Sequence, residues 1–156
     1  MTNSALLYEQ SGPVGWINLN RPNEMNAINL QMLDEFEEIL PRIANDDAVK
    51  VIVLTGKGRA FCAGADLKEI LNSARLQPGE ADFIDRLTGR VLNVLRDFPK
   101  PVIAALNGIT MAGGLETAMS EDIVVAAGSA SIGDAHATHC AVYTSGLSQE
   151  RSRGQR

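Results

Sequence analysis

Short apolar runs separated by Gly, Pro and Asn organise this chain. Leu6 to Gln10 and Val14 to Leu19 are two β-prone runs split by Ser11-Gly12-Pro13, a turn signal, and together they predict a hairpin. Asn20-Arg21-Pro22-Asn23 then breaks the pattern. Leu33, Phe36, Leu40 and Ile43 recur at the spacing of one helical face. Asn29 stands where it can cap that helix. Pro41 is expected to kink the helix or end it early, because it lacks a backbone donor. Val49-Lys50-Val51-Ile52-Val53-Leu54 is almost continuously β-branched, as expected of a strand covered on both faces.

A long loop rich in Gly and Ala, TGKGRAFCAGAD, follows Leu54. Asp66 to Ser73 is expected to begin a helix. Ala81 to Arg96 is expected to form another, with Phe83, Leu87, Val91 and Val94 on one side. After Pro99-Lys100-Pro101, Val102 to Leu106 reads as the next buried strand. Asn107-Gly108 turns the chain, and Gly113-Gly114-Leu115-Glu116 leads into a short helix. Ile123 to Ala127 and Ser131-Ile132 are further strands. Repeated strand–loop–helix units predict a layered α/β fold. The two Gly-rich loops follow buried strands, which is where α/β proteins bind ligands. The last α/β unit is expected to leave at least one sheet or helix face with no obvious cover. From Leu147 onward only Leu147 is apolar, and three arginines face one glutamate, so residues 147–156 are expected to be a mobile basic tail behind a core domain of residues 1–146.

Composition narrows the function classes. The 156 residues, 45% hydrophobic and 21% charged, suit one ordinary domain with a real core. A formal charge of −5 makes nucleic acid a poor partner. Cys62 and Cys140 make no disulfide framework, which points to a reducing compartment. The first ten residues carry Glu9 and neither Lys nor Arg, unlike a secretory or transit signal. No run approaches the roughly 18 apolar residues of a membrane span. A soluble, cytoplasmic protein with no membrane partner is the expectation.

Several motifs carry candidate chemistry. The glycines of Gly108 to Gly114 have P-loop spacing, but the Lys and Ser/Thr that would grip phosphate and magnesium are absent, which argues against ATP. No GxGxxG fingerprint follows a strand, so a dinucleotide site is not expected either. Gly113-Gly114 before a helix exposes backbone N–H groups that can face an oxyanion, although a tight turn packed on a strand is the plainer account of two glycines. Glu116 in the first turn of that helix either complements the helix dipole or serves as a general acid/base. Asp134, His136, His139 and Cys140 form a D-x-H-x-x-H-C cluster whose spacing matches none of the common zinc sites, so no metal is assigned and His136 stays open as an acid/base.

Read together, these segments are familiar. Asn20-Arg21-Pro22 with Asn26-Ala27, Val53-Leu54-Thr55-Gly56, Ala60-Phe61-Cys62-Ala63-Gly64-Ala65-Asp66-Leu67, Pro99 to Gly108 and Gly113-Gly114-Leu115-Glu116 occur in that order. From about residue 6 to about residue 140 the chain resembles the enoyl-CoA hydratase/isomerase (crotonase) family. The resemblance implies a spiral of repeated ββα units, incomplete at the C-terminus relative to the family. It implies an acyl-CoA substrate, with coenzyme A as part of the substrate and no separate cofactor. It implies an oxyanion hole made by the amides of Ala65 and Gly113, which stabilises a thioester enolate, and a catalytic role for Glu116. Met25, Ala27, Ala63, Gly64, Ala65, Asp66, Leu67 and Lys68 match the family's coenzyme A-holding segments, with Gly113 at the thioester. Arg21 or Lys57 would assist the phosphates.

The family's second catalytic glutamate falls in Ile132-Gly133-Asp134-Ala135-His136, where this chain has His136. Enoyl-CoA hydration is the leading expectation. One glutamate also fits a one-base isomerisation, or chemistry with His136 as partner, and a truncated non-catalytic coenzyme A binder is a further alternative. Trimers or hexamers are the family habit.

Overall fold

The computed structural model describes residues 4–73 and 83–134. The hairpin is β1 (Leu6–Ser11) and β2 (Val14–Leu19), antiparallel, with Gly12 at φ +57 in the turn. A single 3-10 turn at Pro22–Glu24 leads to α1 (Leu30–Ala44). The Asn29 side chain accepts from the Met32 amide at 3.0 Å, the cap expected of it. Met32, Leu33, Phe36, Leu40 and Ile43 are buried on one stripe. Pro41 does not end the helix, which runs on to Ala44. The proline lies exposed, so its ring meets no packed layer, and the Asn45 amide at 3.3 Å and Nδ2 at 2.8 Å both donate to the Pro41 carbonyl and close the last turn.

The expected strand near Val49 is β3 (Val51–Gly56), and the loop after it contains a further short strand, β4 (Ala60–Cys62). After α2 (Leu67–Ser73), described residues resume with α3 (Phe83–Arg86), a π-helical stretch Leu87–Leu92 and α4 (Asn93–Arg96). Val94 is 41% exposed and Leu95 is buried instead. The wider π turn inserts one residue, and the buried stripe advances from Val91 to Leu92 and Leu95. Then come β5 (Val102–Leu106), β6 (Ile109–Met111), α5 (Gly113–Met119), β7 (Ile123–Ala126) and β8 (Ile132–Gly133).

One sheet has the order β1-β2-β3-β5-β7 and the other β4-β6-β8. Apart from the β1–β2 hairpin every pairing is parallel. Each turn of the chain therefore lays one strand on the first sheet, one on the second, and then continues, which is the expected spiral. The side chains of α1, the hairpin, β3, β5 and the π-helical stretch close one core around Ile17, Leu33, Phe36, Ile52, Leu54 and Leu87. Two polar clamps hold α1. Glu35 accepts from the Ala5 and Leu6 amides at 3.1 and 2.6 Å, and Arg86 pairs with Asp34 and Glu37 at 2.7 and 3.0 Å. The four residues of β7 are all exposed. The basic tail at 147–156, His136, His139 and Cys140 lie outside the described residues.

Candidate functional site

The site is assembled where the loop after β4 meets the loop after β6. Both strands are short and lie side by side in the second sheet, so their C-terminal ends emerge together. Beyond them, Gly64 adopts φ +105 and Ala112 adopts φ 48 with ψ −127. Gly64 is required there twice over. Its φ is one that side chains avoid, and a Cβ on it would stand 3.0 Å from the Ala112 Cβ and 3.1 Å from the Gly113 nitrogen. Ala112 has no such freedom, and its conformation costs about 1–3 kcal/mol, held by the helix that starts at the next residue. Met25 and Asn26, in the neighbouring segment, also take positive φ, at 50 and 56.

Ala65 and Gly113 face each other across this contact. A Cβ built on Gly113 would lie 3.4 Å from the Ala65 nitrogen. Ala65 forms an isolated parallel bridge with Ile28, in which Ile28 donates to the Gly64 carbonyl and Asp66 donates to the Ile28 carbonyl, both at 2.8 Å. In such a bridge the amide of the central residue points away from the partner strand, so the Ala65 N–H turns from Ile28. Gly113 is the first residue of α5, whose amide has no carbonyl a turn earlier to bond. Among the described residues neither amide has a backbone or side-chain acceptor. Two backbone donors thus stand side by side with their hydrogens uncommitted.

The surrounding shell keeps them in place. Gly114 packs onto β4 so closely that a Cβ on it would meet the Cys62 carbonyl oxygen at 2.2 Å. The Thr117 hydroxyl donates to the Gly113 carbonyl at 2.8 Å, locking the first turn of α5. Cys62 is fully buried, and its sulfur accepts from the Gly64 amide at 3.4 Å. Burial pushes the thiol up to about 12, while the Gly64 backbone contact pulls the other way, so it remains protonated and serves as packing. Glu116 sits half-buried in the first turn of α5, its amide bonded to the Ala112 carbonyl at 3.1 Å. The carboxylate therefore belongs to the same turn as the Gly113 amide.

The segment 25–28 runs along 63–66. The Ala63 amide donates to the Met25 carbonyl at 3.0 Å, and the Ile28 ladder continues the contact. Met25, Ala27, Ala63, Gly64 and Asp66 are brought together in this way, whereas Leu67 and Lys68 point outward as exposed residues at the start of α2. Of the two cations expected near phosphate, Arg21 is committed. It bonds Asp66 at 3.0 Å and the Ala27 carbonyl, tying the two segments to each other. Lys57 makes no ion pair among the described residues.

Two asparagines brace the tight turn between β3 and β4. Asn26, fully buried at φ 56, accepts from the Arg21 amide at 2.8 Å and donates to the Lys57 and Ala60 carbonyls at 2.9 and 2.8 Å. Asn107 accepts from the Gly56 amide at 3.0 Å and donates to the Gly58 carbonyl at 3.0 Å. In the sequence Asn107 marks a turn and Asn26 is only part of a motif. Their spacing carried no sign that one amide group would serve three loops, although Asn is a favoured residue at positive φ. The strain at Ala112 and the packing role of Cys62 were equally unmarked. Among the described residues no group of three metal-ligating side chains occurs, and no helix is long and apolar enough to cross a membrane.

The profile of the enoyl-CoA hydratase/isomerase family matches residues 9–150. A short-chain-enoyl-CoA hydratase of Clostridium acetobutylicum is 36% identical over 129 residues, covering 82% of this chain and 48% of the relative. A 1,2-epoxyphenylacetyl-CoA isomerase of Escherichia coli is 36% identical over 115 residues, covering 73% of this chain and 44% of the relative. The crystal structure of an enoyl-CoA hydratase from Bacillus anthracis superposes with a TM-score of 0.80 at 33% identity, over 96% of this chain and 57% of that one. The chain thus spans about half the length of the curated relatives it matches.

Proposed function

The chain belongs to the enoyl-CoA hydratase/isomerase family, and on that footing we propose that it binds an acyl-CoA thioester and stabilises its enolate between the amides of Ala65 and Gly113. The observation that carries this reading is the pair of uncommitted backbone donors held face to face by Gly64 and Ala112. A thioester oxygen gains negative charge as the enolate forms. Backbone donors already in position stabilise that charge without reorganising, each contributing about 2.7–4 kcal/mol to the transition state. Coenzyme A enters as part of the substrate, along the paired segments holding Met25, Ala27, Ala63, Gly64 and Asp66, with Leu67 and Lys68 at the outer rim and Lys57 as the uncommitted cation.

Glu116 is the acid/base of this proposal. In enoyl-CoA hydration its carboxylate takes a proton from water as the oxygen adds to the β-carbon. The electron pair of the double bond moves onto the thioester oxygen as an enolate, and the proton is returned to the α-carbon. A second reading is one-base isomerisation, favoured by Ile132-Gly133-Asp134-Ala135-His136, which has no second glutamate. There Glu116 removes an α-proton from a 3-enoyl thioester and redelivers it at the γ-carbon, through the same enolate. His136 would complete a two-group site in the first case and is unnecessary in the second.

Hydration of crotonyl-CoA is followed as the loss of absorbance of the conjugated thioester. Glu116→Gln is expected to slow it by about 10²–10⁴-fold; equal rates in the two proteins would remove Glu116 from the mechanism. Conversion of a 3-enoyl-CoA without hydration selects the isomerase reading. Titration calorimetry with coenzyme A and crotonyl-CoA tests the scaffold separately, and binding without turnover of any enoyl-CoA would leave the chain as a coenzyme A binder.

A further inference from the structure

The two donors of the proposed site are held by different means. The Gly113 N–H belongs to the 112–113 peptide, whose Ala112 carbonyl accepts from the Leu115 and Glu116 amides at 2.9 and 3.1 Å, so α5 itself fixes it. The Ala65 N–H lies in a loop, ahead of α2 at Leu67, and its direction is set from the far side of its own peptide. A trans peptide aims its carbonyl and its N–H in opposite directions. The Gly64 carbonyl accepts from the Ile28 amide at 2.8 Å. That amide is one end of the 27–28 peptide, whose other end, the Ala27 carbonyl, accepts from Nη1 of Arg21. A continuous chain of two hydrogen bonds and two peptide planes therefore runs from the Arg21 guanidinium to the Ala65 N–H. The second nitrogen of the fork, Nη2, donates to Asp66 at 3.0 Å, and the two side chains are only 18% and 15% exposed. The other Asp66 oxygen accepts from the Lys68 amide at 3.0 Å, so both carboxylate oxygens are engaged within the protein.

We propose that Arg21 is a positioning residue for the Ala65 half of the oxyanion hole, aiming and polarising the Ala65 N–H through the 27–28 and 64–65 peptides while Asp66 holds its guanidinium in place. This role rests on the two-amide reading given above. Positive charge at the head of the chain draws electron density from the Ala27 carbonyl and makes the Ile28 N–H a stronger donor to Gly64. The Ala65 N–H becomes a stronger donor in turn, because hydrogen bonds linked in series strengthen one another. The planar fork suits the task, since one nitrogen reaches the Ala27 carbonyl while the other is anchored by a carboxylate. Gly113 needs no such device, because its peptide is already bonded into a helix.

Acetoacetyl-CoA bound to the 156-residue chain tests this, through the near-ultraviolet absorbance of its enolate and the infrared carbonyl stretch of the bound thioester. Coenzyme A alone, titrated by calorimetry, measures binding that does not use the two donors. Arg21→Ala and Asp66→Ala are each expected to lower the enolate fraction of bound ligand about tenfold, and the double variant no further, as for two groups acting as one unit. The carbonyl stretch is expected to rise, the mark of a weaker hydrogen bond, and coenzyme A affinity to change less than the enolate fraction. Arg21→Lys, which keeps the charge without the fork, is the gentler second variant and is expected to lie between the parent and Arg21→Ala. Arg86→Ala breaks a comparable pair with Asp34 and Glu37 on α1, and is expected to lower the melting temperature with an unchanged enolate fraction. Undiminished enolate in the folded Arg21 and Asp66 variants overturns the positioning role and leaves the two-amide site standing. So does an equal loss in Arg86→Ala, the sign of plain destabilisation, or a fall in coenzyme A affinity as large as the fall in enolate, the sign of a direct ligand contact. A parent chain that forms no enolate at saturating ligand overturns the two-amide site itself, and this role with it.

Discussion

Gly113→Ala separates the chemistry of the site from its folding. Gly113 does not use a positive φ, so alanine meets no backbone penalty there. The added methyl would find the Ala65 nitrogen at 3.4 Å, the Gly64 Cα at 3.6 Å and the Gly64 carbonyl carbon at 3.8 Å, all ordinary van der Waals contacts. The reduced entropy of the unfolded chain even favours the variant by about 0.4–1 kcal/mol. The same methyl lies against the Ala65 amide, where an oxygen shared by both donors has to stand. Losing one donor costs about 2.7–4 kcal/mol, or roughly 10²–10³-fold in turnover. A 3-ketoacyl-CoA reports the same loss without turnover, because its enolate absorbs in the near ultraviolet and forms more readily where the oxyanion is held. Expected are an unchanged or slightly raised melting temperature, a loss of enolate absorbance and a matching fall in kcat/KM. Full enolate formation in a normally folded Gly113→Ala protein would refute the two-amide site. The adjacent Gly114→Ala provides the contrast. Its methyl would meet the Cys62 carbonyl oxygen at 2.2 Å, so the loop has to move and a large loss of stability is expected in a melt.

Other consequences are as direct. Burial, with a smaller contribution from Asp122, pushes the Glu121 carboxyl up to about 8, and among the described residues neither of its buried oxygens has a partner. The folded state keeps this proton where the unfolded chain, near 4.5, has lost it. Stability contributed by the neutral group is complete below about pH 4.5 and falls by about 4–5 kcal/mol as pH rises to 8. Glu121→Gln is expected to flatten that profile in urea unfolding at pH 5 and pH 8; identical profiles would count against the buried neutral carboxyl. Asn26→Ala leaves the Arg21 amide and the Lys57 and Ala60 carbonyls short of a partner, so a loss of about 2–5 kcal/mol is expected in denaturant unfolding. Cys62, buried and held protonated, is expected to resist iodoacetamide at pH 8 until denaturant is added, as read by mass spectrometry of its peptide.

The long periodic elements were legible in the chain because a helix or strand that buries one face must repeat its apolar residues at a fixed spacing. Leu33, Phe36, Leu40 and Ile43 identify α1, the β-branched run identifies β3, and the apolar run Val102–Leu106 identifies β5. The π-helical turn was not legible. It shifts the buried stripe from Val94 to Leu95, and that one-residue slip is settled by packing against α1. β4 and β6 escaped for a related reason. At three residues each they are too short to show a period, and they are strands only because they lie beside one another.

The candidate site divides along the same line. The Gly-rich loops, their order and Glu116 are written in the residues, because close backbone approach needs small side chains and an acid/base needs a titratable one. Nothing local to either loop specifies that the Ala65 and Gly113 amides face each other, that Ala112 accepts a strained φ, or that Arg21 is taken by Asp66. Those outcomes depend on parallel pairing between segments about fifty residues apart, which fixes which loop ends emerge together. Composition and periodicity therefore suffice for the class of fold and the kinds of chemistry available. The close approach of the loops holding Ala65 and Gly113, and the exposure of β7, exist only once the spiral has wound and long-range hydrogen bonds have set its register.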